Sequence, residues 1–148
     1  MVEGSPPKPR RANSQEIEAA NRAEATALLI RSGYRVYRPE ADVEGDDLVL
    51  FTPSRELIRV QLKGRPHVDL RRYGNIGLWL LFPSAKFKLG VARTWFLIPH
   101  DDLFGWIKDR HGHTPKWGDW WSYPTMSVAL RSFLADRVIG APADENSN

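Results

Sequence analysis

The stretch GDDLVLFTPSRELIRVQLKG, residues 45–64, holds two short runs of alternating apolar residues around a turn. Side chains on a strand alternate between two faces with a period of two. In 57–63, Ile58, Val60 and Leu62 share one face, as a core strand requires, and Arg59, Gln61 and Lys63 share the other. In 47–52, Leu48 and Leu50 share a face, and Asp47, Val49 and Phe51 take the opposite one. The PSRE turn between the runs, signalled by Pro53 and Ser54, is short enough to pair the strands antiparallel. Pairing then sets Asp47 near Gln61 and Lys63 on one surface. For Gln61 and Lys63 alone, a solvated strand face is the plainer account, and for Asp47 alone a turn or strand-start acid.

Outward from this hairpin, Ser14 and the following QEIEAANRAEATALLIRS read as a helix. Ser14 is a suitable cap, Gln15 and Glu16 suit the positive helix start, and Gly33 is the expected stop. A short strand, YRVYRP, spans 34–39. Beyond Gly64, HVDLRRY reads as an extended segment. IGLWLLFP (76–83) and RTWFLIP (93–99) read as buried strands, HDDLFGWIKDRH (100–111) as a short helix, and TMSVALRSFLADRVI (125–139) as a C-terminal amphipathic helix. The order gives one α/β or α+β domain over 14–140: a mixed sheet with a helix before it and helices after. Residues 1–13 read as a flexible basic arm and 141–148 as a disordered polar tail.

The 148 residues suffice for one domain with a core. With no Cys, a disulfide framework and a thiolate zinc site are excluded. No apolar run approaches the roughly 20 residues of a membrane span, and the N-terminus has no apolar h-region, so a cytoplasmic protein is expected. Net charge is +3 with a pI near 9.4. The cations cluster, at Arg10 and Arg11 and again at Arg59, Lys63, Arg65, Arg71 and Arg72, which points to an anionic partner such as nucleic acid.

A carboxylate, an amide oxygen and an ammonium on one surface suit metal-assisted phosphodiester hydrolysis. Mg²⁺ takes hard oxygen ligands and retains waters. It polarises a phosphate and lowers the pKa of bound water, and a neighbouring lysine can position that water or offset charge building on the phosphate. A helix-borne carboxylate would complete such a set. Among His67, His100, His111 and His113, the HGH of 111–113 lacks a paired His or Glu at ligand spacing, and a loop histidine is the plainer account. KWGDWWSYP, 116–124, reads as a hydrophobic plug over the sheet before it reads as a base-stacking platform.

The layout helix–Gly–strand–DLVLF–turn–IRVQLKG resembles the PD-(D/E)XK nuclease superfamily, with its restriction-endonuclease-like fold. It is closest in form to the QXK variant seen in some homing endonucleases and in uncharacterised prokaryotic endonuclease-like proteins, here Gln61-Leu62-Lys63. The likeness covers about residues 14–64 and implies an N-terminal helix, then three strands of a mixed sheet flanked by helices. It implies a DNA endonuclease using Mg²⁺ or Mn²⁺, with Asp47 and Gln61 as metal ligands and Lys63 catalytic. Asp46 stands where the family has Pro and is the alternative to Asp47. The family's helix acid falls near Arg22. Glu18, four residues earlier, lies on nearly the same helix face, whereas Glu24 lies about 200° round the helix. Glu18 is therefore assigned, with Glu24 as the alternative. Arg10, Arg11, Arg59, Arg65, Arg71 and Arg72 are assigned to the nucleic-acid backbone, DNA first with RNA left open. A homodimer would supply the two sites that double-strand cutting needs. The rival class is a catalytically degenerate nucleic-acid-binding or assembly module on the same fold.

Overall fold

The computed structural model describes residues 4, 10–41 and 46–140. The arm expected over 1–13 falls mostly, and the tail expected over 141–148 wholly, outside the described residues. In chain order the elements are α1 (Ser14–Arg31), β1 (Arg35–Tyr37), β2 (Leu48–Phe51), β3 (Leu57–Leu62), β4 (His67–Asp69), α2 (Leu70–Tyr73), β5 (Leu78–Pro83), β6 (Trp95–Pro99), α3 (His100–His111), β7 (Trp120–Ser122) and α4 (Val128–Phe133). A 3₁₀ turn, Leu134–Arg137, follows.

The first helix starts one residue earlier than its expected cap. Asn13, not Ser14, is the N-cap: its side chain accepts from the Glu16 amide at 2.9 Å, and Glu16 accepts in return from the Asn13 amide. This reciprocal box satisfies two amide donors that the first turn leaves without partners. Arg10 forks onto the same Glu16 carboxylate. The buried stripe of α1 is Asn21, Ala25 and Leu29, at four-residue spacing. Gly33, with φ +93°, ends the helix in a conformation that a side chain disfavours.

A five-stranded sheet runs in the order β1-β2-β3-β5-β6. All its pairings are antiparallel except β3 with β5, which is parallel. The β2–β3 turn is closed by the Thr52 amide on the Glu56 carbonyl and the Arg55 amide on the Thr52 carbonyl, both at 2.8 Å. The resulting register sets Leu48 opposite Val60 and Leu50 opposite Ile58. These four pack with Ala25 and Leu29 of α1 in one hydrophobic layer. Leu80, Phe82, Phe96 and Ile98 face the other way, against Leu103, Phe104 and Ile107 of α3 and Leu130 of α4. Burying each such side chain contributes about 1.5–3 kcal/mol.

Two expected elements differ. HVDLRRY is not extended throughout: it forms β4 and then turns into α2, where the Asp69 carboxylate caps the Arg72 amide. β4 pairs with β7 in a separate two-stranded ribbon, so the KWGDWWSYP segment is partly strand. The C-terminal helix expected over 125–139 is only α4 and its 3₁₀ extension. Ser127 caps it, and Val138 leaves it to bridge Phe96 at the β6 edge.

Candidate active site

The ladder between β2 and β3 ends at Leu48 and Val60. Beyond it, β3 runs on with β5 on one side only, through Gln61 opposite Leu80 and Leu62 opposite Leu81. Asp47 closes the open side. Its amide donates to the Val60 carbonyl at 2.8 Å, and its carboxylate accepts from the Leu62 amide at 2.9 Å. Asp47 therefore straps β3 on either side of Gln61.

This open edge borders a cavity of about 310 Å³ lined by Glu18, Asn21 and Arg22 of α1, by Asp47, and by Gln61 to Gly64. The four side chains expected at the catalytic centre, Glu18, Asp47, Gln61 and Lys63, thus border one space. Their surroundings differ. Glu18 is exposed; Asp47, Gln61 and Lys63 are half-buried. Gln61 Oε1 is fully buried and accepts no hydrogen bond among the described residues. A buried acceptor without a partner costs about 1–3 kcal/mol, so a hard cation or a water is the natural complement. Lys63 Nζ stands 5.0 Å from the centroid of the buried Tyr73 ring, a cation–π contact that restrains the ammonium.

The helix acids separate clearly. Glu24 accepts from the Arg93 amide at 2.9 Å and from the Arg93 guanidinium at 2.8 Å. Burial pushes its carboxyl up, but the hydrogen bonds led by Arg93 outweigh this and hold it below the usual range. Glu24 is committed to Arg93 and does not line the cavity; Glu18 does. Asn21, a residue that sequence reasoning missed, is buried and accepts from the same guanidinium. Its signal was a polar residue on the apolar stripe of α1.

The cations expected to follow a nucleic-acid backbone are spread out. Arg65, Arg71 and Arg72 are exposed, and Arg65 sits just beyond the cavity. Arg11 is exposed, and Arg10 is paired with Glu16. Arg59 is half-buried and donates to the Ile76 carbonyl, which gives it a structural duty on the sheet. His100 is fully buried: Nε2 accepts from the Asp69 amide at 3.0 Å, which leaves Nδ1–H to donate to Asp101 at 2.9 Å. His111 contacts the Tyr123 hydroxyl and stacks on Trp121. Both are structural histidines.

The donor set at the cavity is one strapped carboxylate, one buried amide oxygen and one carboxylate at the helix. Hard oxygens of this kind fit Mg²⁺ or Mn²⁺. Among the described residues, no group of three or more His, Cys, Asp or Glu could hold a metal ion. A cation here therefore needs the Gln61 amide and oxygens from water or a phosphate.

No family model matches the chain, and no curated protein matches it. Among solved structures the chain is similar to a bacterial homing endonuclease, at 17% identity and a TM-score of 0.48, over 79% of each chain. No helix among the described residues is long and apolar enough to cross a membrane.

Proposed function

We propose that the protein is a metal-dependent DNA endonuclease of the PD-(D/E)XK type, in its QXK form. The observation that carries this reading is Gln61: its Oε1 is buried and without a partner among the described residues, and the residue lines a cavity with Asp47, Lys63 and Glu18. Asp47 and Gln61 would hold Mg²⁺ or Mn²⁺. When bound, that ion would polarise the scissile phosphate and lower the pKa of a water beside it.

The chain's own residues then divide the work. The Asp47 carboxylate, oriented by the Leu62 amide, contributes the fixed negative charge. Gln61 adds an oxygen dipole without adding charge. Lys63, restrained at Tyr73, orients the attacking water or offsets charge growing on the phosphate. Glu18, exposed at the rim, takes the proton or holds an outer water. Arg65, Arg71 and Arg72 offer backbone contacts, which position a nucleic acid without reading its sequence.

The test is nicking and linearisation of supercoiled, linear and branched DNA with Mg²⁺ or Mn²⁺, by wild type, Asp47→Ala and Lys63→Ala. Cleavage by wild type alone is the expected result. Binding without cleavage of any form would overturn the enzyme reading. The lack, among the described residues, of a cluster of three metal-ligating acids or histidines favours a second reading, a degenerate nucleic-acid-binding or assembly module. That same assay separates the two.

A further inference from the structure

Three cavities follow one another from the site. The first shares Asn21, Lys63 and Gly64 with a second, of about 560 Å³, whose remaining walls include Arg65, His67, Lys86 and Phe87. The second shares Gly64, Arg65 and Lys86 with a third, of about 180 Å³, bordered by Pro83, Pro124, Met126 and Arg131. Gly64 belongs to all three and presents only backbone to them.

Charge divides sharply along this line. The acids, Glu18 and Asp47, are confined to the first cavity. In the other two, every charged wall residue is a cation: Lys63, Arg65, Lys86 and Arg131. Arg65, Lys86 and Arg131 are exposed, and no acid among the described residues pairs with them. His67 is half-buried on the second wall. Burial, and after it Lys63, holds its ring below the usual pKa; Arg65 and Arg72 add to this against the pull of Asp69. Phe87 brings an aromatic surface to the same cavity and is half-buried, with the Arg93 guanidinium 5.7 Å from its ring centroid.

A row of cations interrupted by an aromatic ring is how proteins hold single-stranded nucleic acid, the charges following the backbone and the ring stacking a base. We propose that this trough takes one unpaired DNA strand where it leaves the active site, with phosphates on Lys63, Arg65, Lys86 and Arg131 and a base against Phe87. The substrate is then DNA with a single-stranded segment beside the scissile phosphate, an inference that rests on the nuclease reading for the strand's other end.

Binding of the full chain to a blunt duplex, and to the same duplex carrying a short oligo-dT tail, is measured by fluorescence anisotropy across a salt series. Each phosphate held on a single strand adds about 0.7 to the slope of log K against log salt. The tail is expected to steepen the wild-type slope by about 2, for the three phosphates on Arg65, Lys86 and Arg131, Lys63 being engaged at the active site by either duplex. Lys86→Glu and Arg131→Glu are each expected to remove about 0.7 or more of that gain while leaving blunt-duplex binding unchanged. Equal slopes for blunt and tailed DNA with wild type would overturn the proposal without recourse to any variant. An RNA tail bound more tightly than the DNA tail would overturn the assignment to DNA. A protein that gains affinity from the tail but cleaves nothing keeps the trough and loses the nuclease reading. Cleavage of both duplexes without a tail effect does the reverse.

Discussion

Replacing Gln61 by Met asks what the unpartnered oxygen is for. Met keeps the unbranched length of Gln and removes its amide. Gln61 Oε1 is buried with no donor among the described residues, which costs about 1–3 kcal/mol where no ligand supplies one. Gln61→Met is therefore expected to be more stable than wild type in chelator by a similar amount. For a chain of this size each kcal/mol moves Tm by about 2–4 °C, so the rise is several degrees. Addition of Mg²⁺ or Mn²⁺ is expected to reverse the ranking. At about a hundredfold excess over Kd, wild type gains about 2.7 kcal/mol, and the variant, lacking one of two inner oxygens, gains far less. Differential scanning calorimetry of both proteins, in chelator and across a cation titration, reads the crossing directly. A variant less stable than wild type in chelator, together with a wild type indifferent to either cation, would refute the reasoning at both steps.

Asp47 has two duties, and two substitutions separate them. Asp47→Asn keeps an acceptor for the Leu62 amide and is expected to fold within about 1 kcal/mol of wild type, whereas Asp47→Ala loses about 1–3 kcal/mol; neither cleaves DNA, and urea denaturation beside a nicking assay checks both. Arg93→Ala leaves the half-buried Glu24 carboxylate and the buried Asn21 without their guanidinium and is expected to cost about 1–3 kcal/mol; a double replacement of Arg93 and Glu24 by apolar residues that recovers none of this loss would contradict the assignment. Burial, first among the causes, lowers the folded-state pKa of His67, His100 and His111 from 6.5. The unfolded chain then binds more protons as pH falls below about 6.5, so stability declines there. His100→Gln is expected to flatten that decline in urea titrations at successive pH values, and an unchanged slope would remove His100 from the account.

The hairpin was legible because strand alternation is a local rule. Ile58 and Val60 are buried as the period of two requires, and Asp47 reaches the Gln61 end of β3 as the register implies. Glu18 was preferred to Glu24 by combining the position that the family resemblance implies, near Arg22, with the helix angle, and the structure commits Glu24 to Arg93. What could not be read was pairing between distant segments. Nothing local in RTWFLIP announces that Arg93 will bind an acid 69 residues away, or that Asn21 will share that guanidinium. HVDLRRY read as extended because the partner of its first half, Trp120–Ser122, lies far along the chain, and because Asp69 acts as a cap only once the chain turns there. The Arg59 tether to Ile76 was equally hidden, since an arginine on a polar strand face looks the same whether it meets DNA or a carbonyl.

Exposed turns are ordinarily where a chain accepts insertions and deletions without harm. The turn at Pro53–Glu56 is exposed, and Arg55 sits in it with φ +71°. A one-residue slip between its two strands would carry every side chain of β2 to the other side, turning Leu48 and Leu50 out of the core and Asp47 away from β3. Loop length here is therefore as much a heritable trait of the candidate site as any of its side chains. Among descendants of this chain that keep Asp47 beside Gln61, this turn will hold its length while its residue identities drift.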